Sequence, residues 1–195
     1  MCGRFKSNTL VQLNQIKSIF NIKNIKLSKE EVEDLNKEIS PGMKAPIITN
    51  EFNIETQSFG LLKWDNKGLI FNSRTETVSN NKFFKNDFEL NKCVIPASSY
   101  YEWQKQLNTK IKYQFTKEDQ LLFLAGFYKQ ENNEKHFSII TKQATKDISF
   151  IHDRMPLLLN KEEAYNWLSN INIQSILNKI NQENELKFSI DDSKL

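Results

Sequence analysis

The chain has 195 residues, and its 27 Lys and Arg against 24 Asp and Glu leave a formal net charge of +3. That length suits one domain with a sizeable buried core, and the small basic surplus permits a nucleic-acid partner without marking a polybasic tail. No apolar run approaches the roughly 20 residues that span a bilayer, and the start lacks the apolar segment of a secretory signal, so no membrane association is expected and the expected location is the cytoplasm.

In chain order, the first feature is "MCGRF". Initiator methionine is usually trimmed ahead of a small residue, and its removal would leave Cys2 with a free α-amine and a free thiol on adjacent carbons. With intrinsic pKa values of about 7.7–8.0 and about 8.5, each group has a usable nucleophilic fraction near neutral pH. Two chemical uses are open. The thiolate can attack a carbonyl with the amine as base, or the amine can condense with an aldehyde and the thiol then close on the imine carbon to give a thiazolidine. A frayed terminus with an arbitrary second residue is the third reading.

Residues 7–20, "SNTLVQLNQIKSIF", set Leu10, Leu13, Ile16 and Phe20 at helical spacing behind a Ser7 or Asn8 cap, which predicts an amphipathic helix pinning the terminus to the body. "SKEEVEDLNKE" (28–38) reads as a short surface helix or loop capped at Ser28, and Pro41 with Gly42 in "SPGMKAP" predicts a turn. From there to about residue 142, runs such as "APIITN", "CVIPAS", "YYEWQKQ", "IKYQFTK", "QLLFLAGFYKQ" and "HFSIITK" predict strands. "KEDQ" (117–120) reads as the tight connection of a hairpin, and "KEEAYNWLSN" and "IQSILNKINQ" read as closing helices. The expected architecture is α+β: a single domain over residues 1–195, with a curved, largely antiparallel β-sheet or open barrel and helices packed around it.

Cys2 and Cys93, the two cysteines, fit neither a disulfide framework nor a metal spacing. With two histidines in the chain, no metal site is expected. Cys93, inside "KCVIPAS", reads as a small buried hydrophobe. Polar side chains in apolar surroundings recur in four stretches: "MCGRF", "FNSRTET" (71–77), "SSYYEW" (98–103) and "FIHDRMP" (150–156). Taken singly, each has a plain reading. Glu102 alternates with Tyr101 and Trp103 on a strand and is equally placed to face water. His152, ahead of Asp153, fits a loop histidine held by a carboxylate as well as an acid/base. Asn72 and Arg74 fit a turn and a salt bridge.

Together and in order with "SPG", "FLAGFY", "SIITKQA" and "IHDRMPLLL", these stretches resemble the SRAP family, named for SOS response-associated peptidases and also described as abasic-site processing proteins. The resemblance covers most of the chain. It implies the SRAP fold, and that processed Cys2 captures the aldehyde of an abasic deoxyribose in single-stranded DNA as a thiazolidine. The family's asparagine, glutamate and histidine fall on Asn72, Glu102 and His152. Cys2 is then the nucleophile, Glu102 and His152 carry protons for opening the sugar hemiacetal, and Asn72 positions the amine.

The same resemblance assigns Arg4 and Arg74 to phosphates, and Pro41, Trp64 and Phe83 to stacking on or wedging beside bases. Thr141 matches a threonine near the active site and joins the DNA-binding set. The chain departs from the family pattern at Glu38 and Ile39, ahead of "SPG", where the family commonly has Asn, and in "FGLLKW", which lacks the usual proline. A Schiff base also permits β-elimination, hence lyase activity. The alternatives are a thiol peptidase or autoprocessing hydrolase that removes Met1, and a non-covalent reader of damaged single-stranded DNA. The expected state is a monomer with no cofactor.

Overall fold

Several of the longest strands are buried on both faces, the burial pattern of strands walled in by packed layers. The computed structural model describes residues 2–65, 67–119, 121–131, 133–178 and 186–191. The chain runs β1 (Phe5–Lys6), α1 (Leu10–Phe20), β2 (Asn24–Lys26), α2 (Lys29–Glu33), β3 (Glu38–Ile39), β4 (Lys44–Thr49), β5 (Asn53–Phe59), β6 (Leu61–Leu62), β7 (Leu69–Ile70) and β8 (Asn72–Arg74). It continues through α3 (Lys85–Leu90), β9 (Lys92–Ala97), β10 (Ser99–Lys105), β11 (Lys110–Thr116), β12 (Leu122–Glu131), β13 (Glu134–Gln143), β14 (Arg154–Pro156), β15 (Leu158–Leu159), α4 (Lys161–Leu168), α5 (Ile173–Leu177) and β16 (Lys187–Ile190).

The expected α+β class and curved, largely antiparallel sheet are what the chain forms. The curvature goes as far as closure. Strands β13, β12, β9, β4 and β5 pair in sequence by antiparallel ladders, and β5 returns to β13 in parallel through His136↔Ser58 and Phe137↔Phe59. A second sheet, ordered β16-β11-β10-β1-β3, is antiparallel throughout. The two sheets follow one another at Ser98, where β9 gives way to β10.

Strand alternation divides the core in two. Ile48, Val94, Phe127 and Ile140 meet the helices through Leu13, Phe20, Phe88 and Trp167. Ile47, Cys93, Ile95, Leu124 and Ile139 meet the second sheet and the terminus through Cys2, Phe5, Tyr100 and Phe115. Cys93 is a buried free thiol, as its apolar run predicts. Trp167 Nε1 bridges the carbonyls of Cys93 and Gly126 at 3.0 and 2.9 Å, tying α4 to the barrel wall.

Three local expectations change. The N-terminal helix is capped by Thr9, not Ser7 or Asn8: Thr9 Oγ1 accepts from Gln12 N–H while Gln12 Oε1 accepts from Thr9 N–H, a complete capping box. Ser7 is used instead to hold the terminus, its backbone N–H donating to Lys37 O. "KEDQ" is no hairpin turn, because β11 and β12 lie in different sheets; its Gln120 lies outside the described residues. "IQSILNKINQ" is helical over Ile173–Leu177, and its residues 179–182 lie outside the described residues. Ser28 does cap α2.

Gly126, in "FLAGFY", sits at a tightly packed point of the wall. A Cβ there would stand 2.5 Å from Ile95 Cδ1 and 2.8 Å from the Ser138 carbonyl oxygen. Gly126→Ala is expected to destabilise the fold by about 1–3 kcal/mol through overpacking, read as a lowered Tm in thermal unfolding; an unchanged Tm would show that the wall relaxes freely.

Candidate active site

The N-terminal segment is held as a strand. β1 lies between β3 and β10, with Phe5 opposite both Ile39 and Tyr100, and Tyr101 N–H donates to Arg4 O at 2.9 Å, carrying the contact back towards Cys2. The Phe5 ring meets Phe59 edge-on at 5.5 Å. Cys2 is consequently fully buried, which disposes of the frayed-terminus reading.

Three strands of different origin converge there. β8 pairs with β13 (Asn72↔Ile139), and Asn72 Nδ2 donates to Cys2 O at 3.1 Å and to Phe71 O at 2.9 Å. Its Oδ1 is buried with no hydrogen-bond partner among the described residues, an acceptor directed into the protein. Glu102, on β10, does not face water: it is 4% exposed. Burial pushes its carboxyl up to about 7; the positive charge of the amino terminus opposes this, and the Asp153 carboxylate adds to it. Burial, with Glu102 next, also drives the Cys2 thiol well above its ordinary range. The two groups therefore sense each other.

His152 closes the site from the loop between β13 and β14, which is pinned by Ala144 N–H donating to Asp153 O at 2.9 Å. Its Nδ1 has neighbours with opposite demands. Arg154 N–H donates to it at 3.0 Å, whereas Asp153 Oδ1, at 2.8 Å, is matched only by a protonated Nδ1. Burial and then the amino-terminal charge lower the imidazole pKa, with Asp153 acting in the other direction. The backbone N–H is a fixed donor, so the neutral ring with Nδ1 accepting and Nε2 protonated is the form this geometry favours.

Sequence reasoning gave no role to Tyr100 or Arg154 here, and read Asp153 only as the carboxylate beside His152. Tyr100 is fully buried, stacks on Phe115 at 4.6 Å, and has its phenol pushed up by burial and then by Cys2 and Glu102. The Asp153 charge raises both the Glu102 carboxyl and the His152 imidazole. Arg154 binds Glu76 through two nitrogens at 2.6 and 3.0 Å and donates to Thr141 O at 2.6 Å, which holds Glu76 down at about 2. Their signal was present in the quoted motifs, since each lies within two residues of a selected position.

A family model described as SOS response associated peptidase (SRAP) matches residues 1–190. This chain belongs to the SRAP family. Abasic site processing protein YoqW of Bacillus subtilis is 30% identical over 190 residues, covering 87% of this chain and 80% of that relative. Abasic site processing protein YedK of Escherichia coli is 25% identical over 178 residues, covering 86% and 79%. In fold, a crystal structure of a protein from Bacteroides thetaiotaomicron matches with a TM-score of 0.82 at 21% identity, covering 97% of this chain and 91% of that one.

The positions that the SRAP resemblance assigns to DNA differ in accessibility. Trp64, at the tip of the β6–β7 hairpin, is 85% exposed, Arg74 is exposed, and Pro41 is half-buried. Arg4 contacts Glu38 at 3.4 Å and lies over the Trp103 ring at 5.6 Å. Phe83 is half-buried against the helix-side core, its ring already faced by Lys129 Nζ at 4.4 Å. Thr141 is fully buried, its hydroxyl donating to Ser73 O at 3.3 Å, so it braces β8 against β13. Among the described residues there is no group of three or more His, Cys, Asp or Glu side chains that could hold a metal, and no helix long and apolar enough to cross a membrane.

The raised Glu102 pKa has a consequence for stability. The folded SRAP chain holds this proton more tightly than the unfolded chain, whose carboxyl titrates near the ordinary 4.5. Its contribution is fully present below that value and is lost as pH rises through about 7, a loss of roughly 3 kcal/mol. Glu102→Gln is expected to flatten the fall in Tm between pH 5 and pH 8 and to be the more stable protein at pH 8. Parallel pH profiles for the two proteins would refute it.

Proposed function

We propose that this chain senses abasic sites in single-stranded DNA and, once Met1 is removed, forms a covalent thiazolidine crosslink through Cys2 that shields the lesion. The observation that carries the proposal is the enclosure of Cys2 by an amide on its carbonyl, a carboxyl balanced near neutrality and a neutral imidazole. Membership of the SRAP family, with relatives named abasic site processing proteins, supports the same reading. The protein is proposed to act as a cytoplasmic monomer, without metal or cofactor.

The chemistry follows from the groups present. The abasic sugar is mostly a closed hemiacetal; protonated Glu102 gives a proton to its ring oxygen on opening and takes one back as the anomeric hydroxyl becomes the aldehyde, while the neutral His152 ring donates an Nε2–H hydrogen bond without releasing its proton. The Cys2 amine adds to the aldehyde carbon C1′, and the carbinolamine hydroxyl leaves as water after taking a proton from Glu102, while the nitrogen returns a proton to that carboxylate to give the imine. The thiol then adds to the imine carbon, its sulfur bonding C1′ while its proton passes to nitrogen. Aldehyde and aminothiol thus give thiazolidine and one water. The high thiol pKa fits this order: the amine reacts first, and the sulfur needs only to give up its proton as the ring closes. Asn72 Oδ1 is the acceptor that orients the amine. The intermediate imine is also the species from which a lyase reaction would start.

Two outcomes are expected. Intact-mass analysis after incubation with a single-stranded oligonucleotide bearing one abasic site should give a heat-stable species at the mass of the chain lacking methionine, plus DNA, minus water. Cys2→Ala should abolish it while DNA binding persists, and Cys2→Ser should give at best a reversible imine. A stable adduct in Cys2→Ala would exclude thiazolidine formation, and demethionylated protein with no adduct would leave the hydrolase or non-covalent reader. Separately, with Glu102 as acid, the crosslinking rate should fall as pH rises through about 7, and Glu102→Gln should lower it by about 100-fold or more without that pH break.

A further inference from the structure

Directly paired residues in an antiparallel sheet share a face, so the registers of the second sheet define two rows that begin at the candidate site and run outward. One is Phe5–Tyr100–Phe115–Phe188, across β1, β10, β11 and β16; the other is Glu102–Tyr113–Ile190. Burial falls along both. Phe5, Tyr100 and Phe115 are at most 1% exposed while Phe188 is 40% exposed, and Glu102 at 4% leads to Ile190 at 52%.

At the open end the rows meet Phe150, 53% exposed and two residues ahead of His152. Its ring lies 5.9 Å from Phe188 and 6.3 Å from Tyr113, and Tyr113 lies 6.2 Å from Phe188. Gln104 fixes this arrangement, its Nε2 donating to Phe150 O at 3.2 Å while its Oε1 accepts from the Tyr113 hydroxyl at 3.4 Å. The cluster is therefore an ordered, solvent-facing aromatic surface continuous with the carboxyl and imidazole of the site. None of the residues that the family resemblance assigns to DNA belongs to it.

Its surroundings carry charge. Lys105, next to Gln104 at the end of β10, is exposed, takes part in no ion pair among the described residues, and stands near enough for its charge to act on the His152 imidazole. By contrast, Lys112 on the same hairpin is held by Glu38 and Asp191, each at 2.7 Å. Apolar rings with an exposed cation at their edge suit a ligand with flat π-faces and negative charge. That is a single strand of nucleic acid, which offers base faces to aromatics and phosphates to lysines.

Resting on the reading that single-stranded DNA enters this site, we propose that Tyr113, Phe150 and Phe188, with Lys105 at the strand end near His152, form a stacking surface for an unpaired base next to the lesion. The protein would then bind the abasic position partly by recognising an intact neighbour. Recognition would not depend on base identity, because every base has a π-face.

The test measures fluorescence anisotropy with two labelled single strands carrying a tetrahydrofuran abasic analogue, which cannot crosslink. One strand keeps natural bases on both sides of the analogue; in the other, the flanking positions are tetrahydrofuran as well. The wild-type chain should bind the base-flanked strand about 10-fold more tightly, and Phe150→Ala should reduce that preference to less than about 3-fold while Phe150→Trp retains it. Equal affinity of the wild-type chain for the two strands would overturn the proposal, as would a Phe150→Ala loss of the same size on both, which would point to a fold defect or a protein-docking face. Covalent capture is scored separately with an aldehyde-bearing strand. Its absence would overturn the thiazolidine reading and leave the stacking result standing.

Discussion

The candidate site depends on one constraint, the seating of β1 between β3 and β10. A two-residue strand has little intrinsic stability, yet here it is paired on both sides, and its Phe5 ring is inserted among Phe59, Phe137 and Tyr100. Those contacts convert a chain end, ordinarily the most mobile part of a protein, into a buried segment. α1 reinforces it from behind, since its capping box fixes the direction in which the chain leaves β1. Chemistry at an N-terminal amine needs this rigidity, because a nucleophile that is not held near its target loses most of the advantage of being intramolecular.

The same burial sets the electrostatics. Removing water raises the carboxyl of Glu102 and the thiol of Cys2 and lowers the imidazole of His152. All three shifts favour neutral forms. A site of neutral acid, neutral imidazole and unionised thiol suits condensation at a carbonyl, which requires proton donors and an uncharged amine. It suits direct attack by a thiolate less well, because the thiolate would have to form in apolar surroundings beside a carboxyl that ionises first. Burial that costs stability at neutral pH is thus also what selects the chemistry, an arrangement familiar where proteins retain locally unfavourable groups for function.

Much of the fold was legible from the strand runs and their turn residues, because alternation and β-branched composition are local properties. Closure of the barrel was not. It rests on the parallel pairing of β5 with β13, between residues roughly eighty positions apart, and nothing in either run announces its partner. The mistaken hairpin at 117–120 has the same origin: a short polar connection looks alike whether it joins neighbours in one sheet or passes between two. At the site, the motifs supplied Cys2, Asn72, Glu102 and His152 as residue types, but the burial of Glu102 could not be read from its alternation with Tyr101 and Trp103. A strand face looks polar or apolar only in relation to what packs against it. Thr141 shows the same dependence on packing, since nothing in its run shows that it is fully buried and braces β8 against β13.

Glu38, which with Ile39 occupies the neighbourhood where the SRAP resemblance leads one to expect asparagine, gains a physical role from the structure. Its carboxylate bridges Arg4 at 3.4 Å and Lys112 at 2.7 Å, and Lys112 continues to Asp191. An arginine assigned to a phosphate is therefore already in contact with an acid before DNA arrives. The pair is about a third exposed on both sides, and ion pairs of that kind are worth about 0–1 kcal/mol, so a phosphate with its fuller charge and bidentate geometry can displace the carboxylate at small cost. Displacement does not strand the glutamate, because Lys112 remains as its shorter and less exposed partner. The acid thus orients Arg4 over Trp103, and under the proposed DNA reading it is the group a phosphate would displace, at a distance from the four groups around Cys2.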